Sequence, residues 1–180
     1  MEIFNFSKEF SEIKLGKGIN FIDNRGFLKK TVYGKNLSNL MPTISEVITT
    51  TSKKDVIRGI HFQNPPHAVK KFITCVYGEI EDVFIDLRKD SEYYGKVGSF
   101  ILNESDIHSI LIPEGFGHGY KVKSDVAIVN YIQSGSFNSK YDSSINPTSI
   151  EFNWNIKNPI ISKKDLNAIS FKNFDSLFKK

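Results

Sequence analysis

The chain has 180 residues and a mass of 20.5 kDa, and it is 39% hydrophobic, 24% charged and 13% aromatic, with fifteen Phe. That length suits one domain with a core of its own, and so many rings exclude a disordered chain and favour a β-rich interior. The formal charge of +4 and the pI near 9.0 suit an anionic ligand, but the basic residues are scattered rather than striped between aromatics, which argues against nucleic acid.

The opening MEIFNFSKEF carries charges where a secretory signal would be apolar. Apolar runs such as 110–113 and 127–129 fall far short of the roughly 20 residues that a membrane span needs. A cytoplasmic protein without a membrane partner is therefore expected. Short runs with period-2 alternation, separated by Gly, Asn, Asp or Ser, predict strands at 19–22, 27–32, 45–51, 56–62, 71–77, 80–86, 97–101, 107–112, 119–122 and 127–133. Helix is expected only at 34–40 and at 163–168, the second behind a Ser162 cap.

This spacing predicts an all-β sandwich or barrel occupying residues 1–180 as one domain, with its core within 12–165. Gly78, between two strand-like runs, is expected to form a tight hairpin, and the tail beyond Ser170 to pack loosely. Cys75, the lone cysteine, lies in the apolar run FITCVYG and is expected to be a buried, inert thiol.

The stretch VIRGIHFQNPPHAVKK, residues 56–71, holds the densest chemistry. Arg58 and His61 are three apart, so strict alternation sends them to opposite faces unless the strand bulges, and Gly59 permits a bulge. Read from this stretch alone, a solvated arginine and a satisfied core histidine remain the alternative. Lys70 and Lys71 lie in opposite phases, so a regular strand turns one of them inward, where it needs an anionic partner; two snorkelling strand-end lysines are the other reading. His118, between two glycines in IPEGFGHGY, stands where a ligand could approach the backbone. Tyr131, in AIVNYIQ, places a phenol on a core-like strand, where its hydroxyl needs a partner or a task. His61 and His67 are split by a Pro-Pro turn with no carboxylate at ligand spacing, so no metal site is expected. Phosphate-loop, GxSxG and CxxC motifs are absent from the sequence.

Six segments, DNRGF (23–27), VIRGIHFQ (56–63), HAVKK (67–71), YGEIEDVFIDLRKDS (77–91), IPEGFGHGY (112–120) and PIISKKD (159–165), together resemble the dTDP-4-dehydrorhamnose 3,5-epimerases. The resemblance runs in order over most of the chain. It implies a cupin-like jelly roll with short peripheral helices, a homodimer exchanging N-terminal strands, and no metal or organic cofactor. The implied substrate is a nucleotide-diphospho-4-keto-6-deoxy sugar, epimerised at C3 and C5 through an enolate in deoxysugar biosynthesis for surface polysaccharide.

Matched position by position, the resemblance makes His61 the general base, Asp165 the carboxylate that orients it, Tyr131 the acid on the opposite face and Lys71 the cation at the enolate oxygen. Arg58 and His118 match contacts to diphosphate and sugar, Arg25 is expected to reach a partner subunit's cleft, and Phe137 stands where an aromatic ring stacks near the nucleoside base. The chain departs from the family at Lys30, Glu46, Ile48 and Ser136. Those departures bear on the nucleotide and the sugar. A single-centre epimerase of a GDP- or CDP-linked sugar, such as a 6-deoxy-heptose, and a non-catalytic sugar-nucleotide-binding cupin are the alternatives.

Overall fold

The structure is a computed structural model describing residues 1–179, with Asn36 described by its backbone alone. Its strands are β1 (Glu2–Asn5), β2 (Lys14–Lys17), β3 (Ile19–Asp23), β4 (Gly26–Lys30), β5 (Glu46–Lys53), β6 (Val56–Gln63), β7 (Lys71–Tyr77), β8 (Glu79–Asp86), β9 (Val97–Asn103), β10 (His108–Ile112), β11 (Phe116–Val122), β12 (Val126–Gln133), β13 (Asp142–Ser144) and β14 (Ile160–Ile161). Two short helices, α1 (Lys35–Leu40) and α2 (Lys163–Leu166), lie at the edges. Every strand expected between 19 and 133 forms, and β11 starts earlier than its alternation suggested, at Phe116.

Two antiparallel sheets make the body of the fold. One runs β1-β2-β10-β7-β12-β5 and the other β13-β6-β11-β8-β9, with β14 added in parallel to β6. The inward rows of both sheets meet in a core that includes Ile73, Cys75, Val129, Ile110, Phe84 and Tyr120. Rings of Phe6, Phe10, Phe84 and Phe116 interlock edge to face there, with centroids 5.1 to 6.4 Å apart. This is the jelly-roll arrangement of inward-alternating strands closing over a shared interior.

The second sheet is buried on its outer face as well. Ile57, Ile60, Phe62, Val83 and Ile85 pack there against Ile145, Trp154 and Phe178 from the C-terminal segment. This explains why VFID is continuously apolar up to its closing aspartate rather than alternating. On the outer face of the first sheet, Leu37 and Leu40 of α1 cover Met41, Phe72 and Leu111.

Two expectations are corrected. Gly78 adopts φ +75 but joins no hairpin: β7 belongs to one sheet and β8 to the other, so the turn carries the chain across the sandwich. A side chain at this position would collide with the Val126 carbonyl and the Ser124 hydroxyl, which accounts for the glycine. The tail beyond Ser170 does not pack loosely either. Phe174 and Phe178 stack on Phe62 at 5.3 and 5.9 Å, and Ser176 is buried with its hydroxyl on the Leu87 carbonyl. The reason is the exposed apolar face that sheet β13-β6-β11-β8-β9 would otherwise present.

Strands β3 and β4 form a separate two-stranded sheet that leaves Phe21, Ile22, Phe27 and Leu28 exposed. Cys75 is 3% exposed, donates its thiol to the Tyr77 carbonyl at 3.2 Å, and is pushed up to about 11 by burial, which keeps it a protonated, inert thiol. Among the described residues, no helix is long and apolar enough to cross a membrane.

Candidate active site

A cleft of about 190 Å³ opens between the sheets and is lined by Ile48, Thr50, Arg58, His61, Lys71, His118, Tyr131 and Gln133. Five of the sequence candidates, Arg58, His61, Lys71, His118 and Tyr131, therefore converge on one space. They arrive from β6, β7, β11 and β12, so both sheets contribute walls.

Arg58 and His61 share the cleft because β6 bulges between them. His118 faces His61 and Tyr120 faces Arg58, so two steps along β11 span three along β6. Gly59 makes this possible. It sits at φ +120, and a Cβ there would lie 2.5 Å from the Gly119 Cα. Close approach of two backbones, not flexibility, fixes glycine at the bulge.

His61 Nε2 meets Asp165 Oδ1 at 2.7 Å, with the histidine side chain 37% exposed and the aspartate 5%. Asp165 is presented from the first turn of α2, where its own N–H donates to the Ser162 hydroxyl at 3.0 Å, the cap expected from sequence. Burial works to raise the Asp165 carboxyl, but its pairing with His61, joined by hydrogen bonding to Ser162, outweighs it and holds the group below its ordinary value. An ionised carboxylate accepts the Nε2 proton, leaving Nδ1 of the neutral ring as the basic nitrogen.

Across the cleft, burial drives the Tyr131 phenol well above its usual value, reinforced by Tyr120 and the Asp82 carboxylate. A phenol in this state carries its proton throughout the neutral range. Lys71 is the inward lysine of the pair. Burial brings it down to about 8 against the pull of the Asp142 and Asp82 carboxylates. Lys70 faces the other way, where its ammonium approaches the Leu40 carbonyl at 3.4 Å. His67, at the Pro-Pro turn, stacks on Tyr141 with ring centroids 4.3 Å apart and does not line the cleft.

His118 Nε2 meets Asp82 Oδ2 at 2.7 Å, both side chains being almost completely buried. Burial raises the Asp82 carboxyl, and His118 and Lys71 pull it back. Two other candidates lie outside the cleft. Arg25 is exposed at the β3–β4 turn and paired with Asp23 at 2.6 Å. Phe137 is 59% exposed on the loop after β12, its N–H held by the Glu46 carboxylate at 2.6 Å. Of the departures, Ile48 lines the cleft directly, beside Tyr131 in register.

The sequence reading passed over Asp82, Tyr120, Thr50 and Gln133. Alternation carried the signal for two of them: Asp82 shares the inward phase of Ile80 and Phe84, and Tyr120 that of His118. Among the described residues, no three His, Cys, Asp or Glu side chains gather as a metal-ligand group.

A jelly roll whose interior sets a carboxylate-held imidazole against a protonated phenol, with an ammonium beside them, is an acid–base site built for moving protons on carbon. The chain belongs to the dTDP-4-dehydrorhamnose 3,5-epimerase family, a family of isomerases, whose model matches residues 8–173. A dTDP-4-dehydrorhamnose 3,5-epimerase of Shigella flexneri is 34% identical over 160 residues, covering 86% of this chain and 88% of that one. The crystal structure of the dTDP-4-dehydrorhamnose 3,5-epimerase from Sulfolobus tokodaii, 31% identical, superposes with a TM-score of 0.89 over 99% of this chain and 98% of that chain. A dTDP-6-deoxy-D-glucose-3,5-epimerase from Legionella pneumophila, solved in complex with dTDP-4-keto-L-rhamnose, is 26% identical with a TM-score of 0.88 over 97% and 94% of the two chains.

Proposed function

We propose that this chain inverts C3 and C5 of a nucleotide-diphospho-4-keto-6-deoxy sugar in deoxysugar biosynthesis, acting over residues 1–180 as one domain. The observation that carries the reading is the placement of His61, hung on Asp165, and protonated Tyr131 on opposite walls of one cleft. The C4 ketone acidifies the hydrogens on its neighbouring carbons. His61 Nδ1 takes one of them, the electron pair moves to the C4 oxygen as an enolate, and the Lys71 ammonium meets the developing charge. Tyr131 returns a proton to carbon from the other face, which inverts the centre. Arg58 and His118 hold diphosphate and sugar.

We read the protein as a homodimer in which the β3–β4 hairpin carries Arg25 to a partner's cleft. Support comes from the hairpin's separate sheet and its five exposed apolar side chains, Ile19, Phe21, Ile22, Phe27 and Leu28. Phe137 is assigned to stacking on the nucleoside base.

The test is incubation in heavy water with TDP-, GDP- and CDP-linked 4-keto sugars, counting deuterons in the recovered sugar by mass spectrometry. Two deuterons identify turnover at C3 and C5, one identifies a single-centre epimerase, and none with any member of the panel rejects catalysis. The panel spans three nucleotides because Ile48, which lines the cleft, and Glu46, which holds the Phe137 N–H, are departures from the family.

A further inference from the structure

Arg58 is exposed, and a long cation lining a cleft loses rotamer freedom when it closes on a ligand. In this chain the arginine is already tied down. Its Nε donates to Ser52 Oγ at 2.8 Å, and its Nη2 approaches the Thr51 carbonyl at 3.4 Å, both on β5. These two contacts occupy one edge of the planar guanidinium. They leave its tip, the Nη1–Nη2 fork, which matches phosphate oxygens with two parallel hydrogen bonds.

Ser52 is itself held from deeper in the protein. It is 4% exposed and Tyr120 0%, and their hydroxyls lie 3.1 Å apart. Thr50, two positions before Ser52 and on the same face of β5, places its Oγ1 2.9 Å from the Tyr120 hydroxyl as well. One phenol therefore ties both of these inward hydroxyls. The tie crosses the sandwich, because β5 is the edge strand of the first sheet, paired with β12, whereas Tyr120 comes from β11 of the second. Each hydroxyl in the cluster is satisfied by another, the condition under which buried polar groups rigidify a site.

We propose that Tyr120 and Ser52 are positioning residues that fix the Arg58 guanidinium in the orientation that receives a diphosphate. This rests on the assignment of Arg58 to the diphosphate given above and deepens it. Tyr120 sets where Ser52 stands, Ser52 takes the Nε edge of Arg58, and the tip of the fork is left for phosphate oxygens. The ordering of the side chain is thus complete before the ligand arrives, and its cost does not fall on binding. Neither Tyr120 nor Ser52 lines the cleft, so both act on nucleotide affinity through Arg58 and not on the proton transfers at His61 and Tyr131.

The test is calorimetric titration of the full chain with inorganic pyrophosphate, beside steady-state kinetics on the sugar nucleotide that turns over. Ser52→Ala and Tyr120→Phe should each weaken pyrophosphate about threefold to tenfold and raise KM by the same factor, with kcat within about twofold of the wild type. Phenylalanine keeps the buried ring, and Ser52→Ala reads the same contact without touching the core. In an Arg58→Ala background, Ser52→Ala should have no further effect, which a general loosening of the fold would not reproduce. Wild-type affinity in both single variants overturns the proposal, and so does an equal loss from Ser52→Ala whether or not Arg58 is present. A wild type that binds no pyrophosphate, or an Arg58→Ala variant that binds it unchanged, removes the phosphate contact and overturns it too. Because the titration needs no turnover, the expected pattern without deuterium incorporation would uphold the positioning and reject catalysis alone.

Discussion

His61 and Asp165 stand 104 positions apart in the chain and meet at 2.7 Å, because β14 pairs with β6 in parallel and α2 follows directly behind it. The segment that looks like a C-terminal appendage is thereby part of the cleft. Asp165→Asn preserves the shape and removes the charge that fixes the ring's tautomer, so kcat should fall by about 10²- to 10⁴-fold with the fold intact. Steady-state kinetics beside circular dichroism checks this.

The same pair has a pH signature in stability. The folded Asp165 carboxyl lies below its ordinary 3.8, so its contribution is fully present above that value and is lost as pH falls through the lower folded value. Urea unfolding of the wild type should therefore show an acid-dependent loss that Asp165→Asn lacks. Parallel curves for the two proteins between pH 5 and pH 2, in round values, would contradict the assignment.

His61→Asn should abolish deuterium incorporation, since the group proposed to take the carbon-bound proton is gone. Tyr131→Phe should separate the two halves of the reaction. Proton removal and wash-out on the His61 face continue, while inversion falls by about 10²-fold or more for want of a donor opposite. Mass spectrometry of exchanged substrate and chromatography of epimerised product read the two halves independently.

Lys71, brought down to about 8, is an ammonium below that pH and neutral above it. If the ammonium stabilises the enolate oxygen, kcat/KM falls as pH rises through about 8. Lys71→Met should cost about 10²- to 10³-fold, the order found for removing one oxyanion donor, and should also flatten the alkaline limb. A limb unchanged in Lys71→Met would assign it to another group.

Gly59→Ala tests the bulge. The new methyl would lie 2.5 Å from the Gly119 Cα at a backbone φ of +120, so the variant should lose about 2 to 4 kcal/mol of stability. What survives should be more impaired in turnover than Ala at an outward position of β6, because relaxing the bulge parts Arg58 from His61. Chemical denaturation together with kinetics on the folded fraction separates the two effects.

Strands from β3 to β12 were legible in the sequence from period-2 alternation or, as in β8, from an apolar run bounded by turn residues. The short strands β1, β2, β13 and β14 were not, since two to four residues are too few for a period to show. Gly78 was misread for a related reason: a positive-φ glycine marks a reversal of the chain but not whether the strands on either side pair or part to different sheets.

The phases of Lys70 and Lys71 posed the right question locally, and only the register of β7 between β10 and β12 answered it. The Tyr120–Ser52–Arg58 chain was beyond sequence altogether. Its members lie on three strands drawn from both sheets, and hydrogen bonds between side chains that far apart depend on how two twisted sheets face each other. The stretch VIRGIHFQNPPHAVKK divides in the same way. Residue chemistry determined that an arginine, a histidine and a lysine needed either water or a ligand. Packing of one sheet upon the other decided that Arg58, His61 and Lys71 share a cleft, because a side chain's surroundings are fixed by neighbours distant in sequence and not by its own.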